Sequence, residues 1–193
     1  AAADASKHPS VAALRKKFGG DVLHHVVYSG DGHWVFIPPE RVVDMLRWLK
    51  GDAEQAYDLL QDLTAVDYGG GRPLEVVYQL WSNKHNRQLR VKAVLPLQAL
   101  EVDSVYALWH TADWLEREVF DMFGIQFRGH PDLRRILMQE NYAEGYRLRK
   151  DFPLRGRFTR AEQTRRALAM DVEDYYTPTE MEIGGEPAAP PEG

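Results

Sequence analysis

Two runs of bulky apolar residues, 74–81 (LEVVYQLW) and 88–95 (QLRVKAVL), flank the polar stretch Asn83-Lys84-His85-Asn86. Strand-length runs joined by a connection of about four to six residues predict a β-hairpin. An earlier hairpin is expected from residues 21–28, rich in Val and Leu, the turn residues Ser29-Gly30-Asp31-Gly32, and the return at 33–37. Pro38-Pro39 stops that strand, and Pro39 is placed to open a helix in which Val42, Val43, Leu46 and Leu49 share a face and Gly51 ends the run. Residues 59–66 read as a further strand, with a helical extension over 57–63 as the alternative. A short helix with Ser10 as its cap carries Val11, Leu14 and Phe18 on one face and stops at Gly19-Gly20. A last helical region is expected over 104–123. The order α-β-β-α-β-β-β-α implies an α+β, two-layer fold with helices packed on one face of a mixed β-sheet, followed by a long irregular C-terminal extension.

The chain of 193 residues suits one such domain: an α+β part over 1–123 with a flexible lead-in at 1–9, an extended segment at 124–158, and a C-terminal extension at 159–193. Residues 159–170 could form a polar helix, and the Pro/Glu/Gly-rich end after about residue 177 reads as disordered or ordered by a partner. With no cysteine, disulfides, thiolate-bound zinc, cysteine-ligated iron–sulfur clusters and cysteine nucleophiles are all excluded. No apolar run is long enough to span a membrane. The opening AAADASKHPS is not a secretory signal, and the missing initiator Met points to a trimmed start. Residues 128–166 carry a net charge of +6 and residues 171–193 a net charge of −7, a division that points to polyanions or acidic partner surfaces unless the two neutralise each other.

No catalytic, cofactor-binding or metal-ligating set emerges. In the helix around 113–123, Asp113 and Glu116 fit a capping box, Leu115, Val119, Met122 and Phe123 form one apolar stripe, and Arg117 and Asp121 are spaced to pair. Glu116 and Glu118 point about 200° apart on a helix, so they cannot flank one glycosidic bond. The seven histidines lack metal spacing, and His25 and His33 read as a contact across the first hairpin. Gly69-Gly70-Gly71 has neither of the glycine frames that cradle phosphate. The stretch 124–158 is long and irregular, and it mixes Arg with Leu133, Ile136, Leu137, Leu148, Phe152 and Leu154, the composition of an interface core.

The run from Trp114 to Leu154 reads WLEREVFDMFGIQFRGHPDLRRILMQENYAEGYRLRKDFPL. It closely resembles the 30-kilodalton (C-type) subunit family of respiratory complex I, NADH:quinone oxidoreductase. The family motif falls on Glu116-Arg117-Glu118, Asp121, Met122-Phe123, His130, Arg134 and Ile136-Leu137, and its closing LRKDFPL on residues 148–154. Residues 63–68 and 76–78 resemble the family's middle strands. One departure is Gly145-Tyr146-Arg147, where the family usually has Gly-His-Pro.

The resemblance implies a non-redox structural subunit of the peripheral arm. Its partners would be the quinone-site (49-kilodalton-type) subunit and neighbouring iron–sulfur subunits, with FMN, clusters and quinone held by those partners and none by this chain. It would sit peripheral to the membrane on the cytoplasmic side, most naturally of a bacterial plasma membrane, and support proton-translocating electron transfer from NADH to quinone. Ending at Gly193, it reads as the stand-alone subunit and not the fused form. Glu116, Arg117, Glu118 and Asp121 would hold the loop's entry, while His130, Asp132, Arg134, Arg135, Arg149, Lys150 and Asp151 would serve the partner contact. An equivalent subunit of a plastoquinone-reducing or membrane-bound hydrogenase complex is the alternative. A nucleic-acid binder is a distant third, because the basic residues lie among acids in a loop and no binding module appears.

Overall fold

The computed structural model describes residues 8–28, 32–139, 142 and 144–153. Apart from Pro153, they lie in one compact unit that ends at Phe152. The expectations for residues 159–170 and for the end after 177 fall outside the described residues.

The elements run α1 (Pro9–Phe18), β1 (His24–Tyr28), β2 (Gly32–Ile37), α2 (Val42–Gly51), β3 (Leu59–Val66), β4 (Leu74–Ser82), β5 (Arg87–Leu95), β6 (Glu101–Asp103), α3 (Ala112–Phe123) and β7 (Gln126–Arg128). The hairpin β4–β5 is the centre of a five-stranded sheet of order β1-β2-β5-β4-β3. Its strands are antiparallel except for β2 against β5, so the sheet is mixed. Residues 59–66 are a strand, which settles the helical alternative, and a bulge between Leu60 and Asp62 bends it.

Alternation along β4 and β5 decides where the core lies. Leu74, Val76, Tyr78 and Leu80 share a face with Leu89, Val91, Ala93 and Leu95, and all eight are buried. On that face they join one core with Val11 and Leu14 of α1, Val42, Met45, Leu46 and Leu49 of α2, and Val119, Met122 and Phe123 of α3. Each fully buried Leu or Val contributes about 1.5–3 kcal/mol through removal of its surface from water. The opposite face is tied by Lys92, which lies 4.2 Å from the Trp34 ring centroid and pairs with Glu75 at 2.8 Å.

Two local expectations are corrected. His8, not Ser10, stands at the N-cap of α1; the Ser10 hydroxyl is spent in the core on the Tyr57 hydroxyl, 2.9 Å away. The last helix begins at Ala112 and not near residue 104, because residues 101–103 leave as β6 to pair with β7. β6 and β7 are parallel, and parallel neighbours need a crossover, which α3 supplies. Strands of three residues carry too little alternation to announce themselves. The His25–His33 contact across the first hairpin is present, Nε2 to Nδ1, at 3.0 Å.

Candidate functional site

The C-terminal half of α3 and the loop that follows are held together by one carboxylate. Val119, Met122 and Phe123 turn toward the core, while Asp121 leaves α3 on another side, where the loop covers it and it has no solvent exposure. Its Oδ2 accepts backbone N–H groups from Ile136 (3.1 Å), Leu137 (2.8 Å) and Met138 (2.7 Å), and Oδ1 accepts the Arg135 guanidinium at 2.6 Å. Burial pushes this carboxyl up, but the N–H of Met138, the Arg135 guanidinium and the other two N–H groups outweigh it and hold the pKa below the usual range. Arg117 binds the same loop from its other side, donating to the carbonyls of Arg134 and Arg135 at 3.2 and 3.1 Å. The expected Arg117–Asp121 pair is therefore corrected. Each reaches the loop instead, where a buried carboxylate gains more donors than one helical neighbour offers.

One turn earlier, Glu116 is fully buried and accepts the Ser104 hydroxyl at 2.6 Å and the Val105 N–H at 2.7 Å. It thereby fixes the exit of β6, and the capping box with Asp113 does not form. His130 packs its buried ring beside it, with Nε2 4.0 Å from Glu116 Oε2, 3.3 Å from Asp113 Oδ1 and 3.2 Å from the Asp113 carbonyl. Nδ1 of His130 accepts the Asp132 N–H at 3.1 Å, which leaves the ring proton on Nε2. Burial raises the Glu116 pKa to about 7 despite its two hydrogen bonds, with the Asp113 charge adding to the rise. A pKa raised by folding means that this group stabilises the fold most below about pH 4.5, and the contribution fades as pH rises through about 7, by roughly 3 kcal/mol at full titration. Urea unfolding at pH 5 and 8 is expected to show a smaller loss of stability with rising pH in Glu116→Gln than in wild type. Identical pH profiles would overturn this.

The chain then returns along the domain. Leu148 donates its N–H to the Met122 carbonyl at 3.1 Å, and Lys150 donates its N–H to Asp67 Oδ2 at 2.9 Å. The departure at 145–147 has a local account. The Tyr146 ring lies directly over Gly124, where φ is +78°. Arg147 donates to the Tyr142 hydroxyl at 2.9 Å and covers the Tyr142 and Phe152 rings at 5.1 and 5.6 Å. Ring and guanidinium packing thus stiffens a turn that lacks the proline.

Of the residues marked by the sequence, Glu116, Arg117, Asp121, His130 and Arg135 converge on the junction of α3 with its loop. Asp132 and Arg134 pair at 2.8 Å on the exposed outer side. Arg149, Lys150 and Asp151 stand apart from that junction, beside the Asp67 loop. Glu118 is exposed and has no polar partner among the described residues. The sequence alone does not mark Asp67, Ser104 or the contact of Asp113 with His130. Asp67 carries a signal even so, since an Asp before glycines closes an Asx turn, here on the Gly69 N–H at 2.7 Å. Large apolar side chains also face outward: Trp114 is 70% exposed, Leu137 61% and Leu148 53%.

The family model for the 30-kilodalton subunit of respiratory-chain NADH dehydrogenase matches residues 35–158. The C-type NADH-quinone oxidoreductase subunit of Geobacter sulfurreducens is 42% identical over 154 residues, 79% of this chain and 93% of that protein. The second C-type NADH-quinone oxidoreductase subunit of Rhizobium etli is 47% identical over 155 residues, 78% of this chain and 81% of its own length. Among solved structures, the trypsin-resistant fragment (1–134) of Nqo5 is 30% identical with a TM-score of 0.55, covering 63% of this chain and 97% of that one. A chain of the membrane-bound sulfane sulfur reductase, an archaeal respiratory membrane complex, is 23% identical with a TM-score of 0.64 over 86% and 96%, a likeness of fold.

Proposed function

From the premise that the chain belongs to the 30-kilodalton subunit family of respiratory-chain NADH dehydrogenase, we propose that it is a structural subunit of the peripheral arm of a proton-translocating NADH:quinone oxidoreductase. It positions its neighbours and performs no redox step. The neighbours are the quinone-site subunit and adjacent iron–sulfur subunits, which hold the flavin, clusters and quinone. The assembly keeps the chain on the cytoplasmic side of the membrane, and among the described residues no helix is long and apolar enough to cross it.

One observation carries this reading. The motif residues Arg117 and Asp121, with Arg135, are spent on clamping a loop that turns Ile136 and Leu137 outward. A loop fixed by a buried carboxylate while its own leucine is 61% exposed is built to present that leucine to a partner. Electron transfer between separate subunits depends on their being held at fixed positions, and a preformed surface limits their movement without ordering cost at assembly.

The test is to tag the chain in its native host, solubilise membranes in mild detergent, and assay the purified material for size, flavin, iron and NADH:quinone reductase activity. A large assembly with all of these is expected. A large assembly with iron and no NADH oxidation would move the chain to a related plastoquinone-reducing or hydrogenase-type complex, and a free 22 kDa species would sink the reading. Leu137→Glu changes a side chain that the fold does not bury. It is expected to reduce co-purifying subunits at least tenfold, as about 1.4 kcal/mol per decade implies for a buried interface anchor. Recovery equal to wild type would count against the loop as the contact.

A further inference from the structure

Three consecutive glycines and three cations meet around one cleft beside the returning segment. Gly69, Gly70 and Gly71 have φ of +71°, +64° and +75°, and a Cβ at Gly70 or Gly71 would meet nothing within 4 Å. The Gly69 N–H is taken by Asp67 and the Arg72 N–H by the Gly69 carbonyl. The N–H groups of Gly70 and Gly71 have no acceptor among the described residues. The cleft, about 260 Å³, is open to solvent and is also lined by Arg72, Arg149, Lys150 and Asp151. Arg149 Nε is buried without a hydrogen bond, and Asp151 Oδ1 lies 3.4 Å from it. Asp67 holds the two segments together, its oxygens occupied by the N–H groups of Gly69 and Lys150.

We propose that this cleft binds one carboxylate, presented by an Asp or Glu side chain of a neighbouring subunit. Charge decides the class of ligand. Arg72, Arg149 and Lys150 against Asp67 and Asp151 leave one positive charge in excess, which suits a monoanion better than a phosphate dianion. A guanidinium presents parallel N–H donors that match a planar carboxylate, and free backbone N–H groups add further donors. The bare surface over Gly70 and Gly71 lets another polypeptide approach to backbone distance. The inference rests on the reading of the chain as a subunit and names the chemistry of one contact. Residues 69–71 lack the spacing of a phosphate loop, and only the fold brings Arg149 and Lys150 to them, some eighty positions along the chain.

The test titrates the ¹⁵N-labelled full chain with a capped peptide holding a single Glu, the same peptide with Gln, and inorganic phosphate. The Glu peptide is expected to shift the Gly70 and Gly71 amides and the Arg149 Nε–H saturably, and the Gln peptide to leave them in place. Arg72→Gln, at an exposed side chain, and Arg72→Gln/Arg149→Gln are each expected to weaken the Glu peptide, the double variant at least tenfold. Equal shifts from both peptides, no shift, or saturation by phosphate at lower concentration than the Glu peptide would overturn the proposal. In the native host, a double variant that assembles like wild type counts against this contact alone. A wild-type chain found outside any large assembly counts against the subunit reading and leaves the peptide result standing.

Discussion

Asp121→Ala is expected to destabilise the domain by about 3–5 kcal/mol, the range for removing one partner of a buried ion pair. The substitution deletes an acceptor shared by the N–H groups of Ile136, Leu137 and Met138, and it leaves the Arg135 guanidinium without its carboxylate in a site that is 15% exposed. Asp121→Asn is the sharper variant. It keeps the shape and one oxygen but turns an NH₂ toward N–H donors, so it should recover only part of the loss. Denaturant unfolding gives the magnitude, and limited trypsin digestion at Arg134 and Arg135 shows whether the loop has left α3. A cost below about 1 kcal/mol, the worth of one ordinary hydrogen bond, would mean that the carboxylate does not organise the loop. Because folding holds the Asp121 pKa down, its contribution is complete above the ordinary carboxylate range and is lost as pH falls through the folded value.

Gly124→Ala is expected to cost about 2–4 kcal/mol, combining the left-handed penalty with overpacking. Gly124 ends α3 at φ +78°, and its N–H bonds the Phe120 carbonyl, the usual helix stop. Here the glycine answers a second demand, since an added Cβ would overlap Cε2, Cζ and Cδ2 of Tyr146. The two terms separate in a double-mutant cycle. Tyr146→Ala in the Gly124→Ala background should recover the overlap and leave about 1–2 kcal/mol of backbone strain. If truncating the tyrosine recovers nothing, the ring does not sit where the structure puts it. The same cycle tests how the chain stiffens the turn that carries Gly145-Tyr146-Arg147.

The sheet was legible because its signal is local. The apolar runs over residues 74–81 and 88–95 mark two strands of matching length, and β4 and β5 pair without interruption over nine positions. The apolar spacing of Val42, Leu46 and Leu49 likewise specified the buried side of α2. Apart from the start of α3, the readings that failed are those in which a polar side chain had more than one possible partner. Ser10 was near enough to the start of a helix to cap it, but the buried Tyr57 hydroxyl takes it, and the Val11 and Ala12 N–H groups bond the His8 carbonyl instead. Glu116 met the spacing of a capping box, yet it accepts the buried Val105 N–H and the half-buried Ser104 hydroxyl, groups costly to leave unmet. Arg117 and Asp121 were correctly spaced neighbours that each found better partners in the loop.

By itself, the sequence determined the two hairpins, the apolar stripes of α2 and α3, the impossibility of thiolate chemistry, and through its motif the family to which the chain belongs. These rest on periodicity, on residue identity, or on patterns within some forty consecutive positions. The tertiary structure alone decided that Asp121 organises the loop, that Glu116 is a buried and raised carboxyl beside His130, and that the glycine loop faces Arg149 and Lys150. The physical reason is that a polar group's role depends on which donors and charges surround it and how far water is excluded. Those surroundings are assembled from segments between 11 and 83 residues apart, which no local spacing encodes.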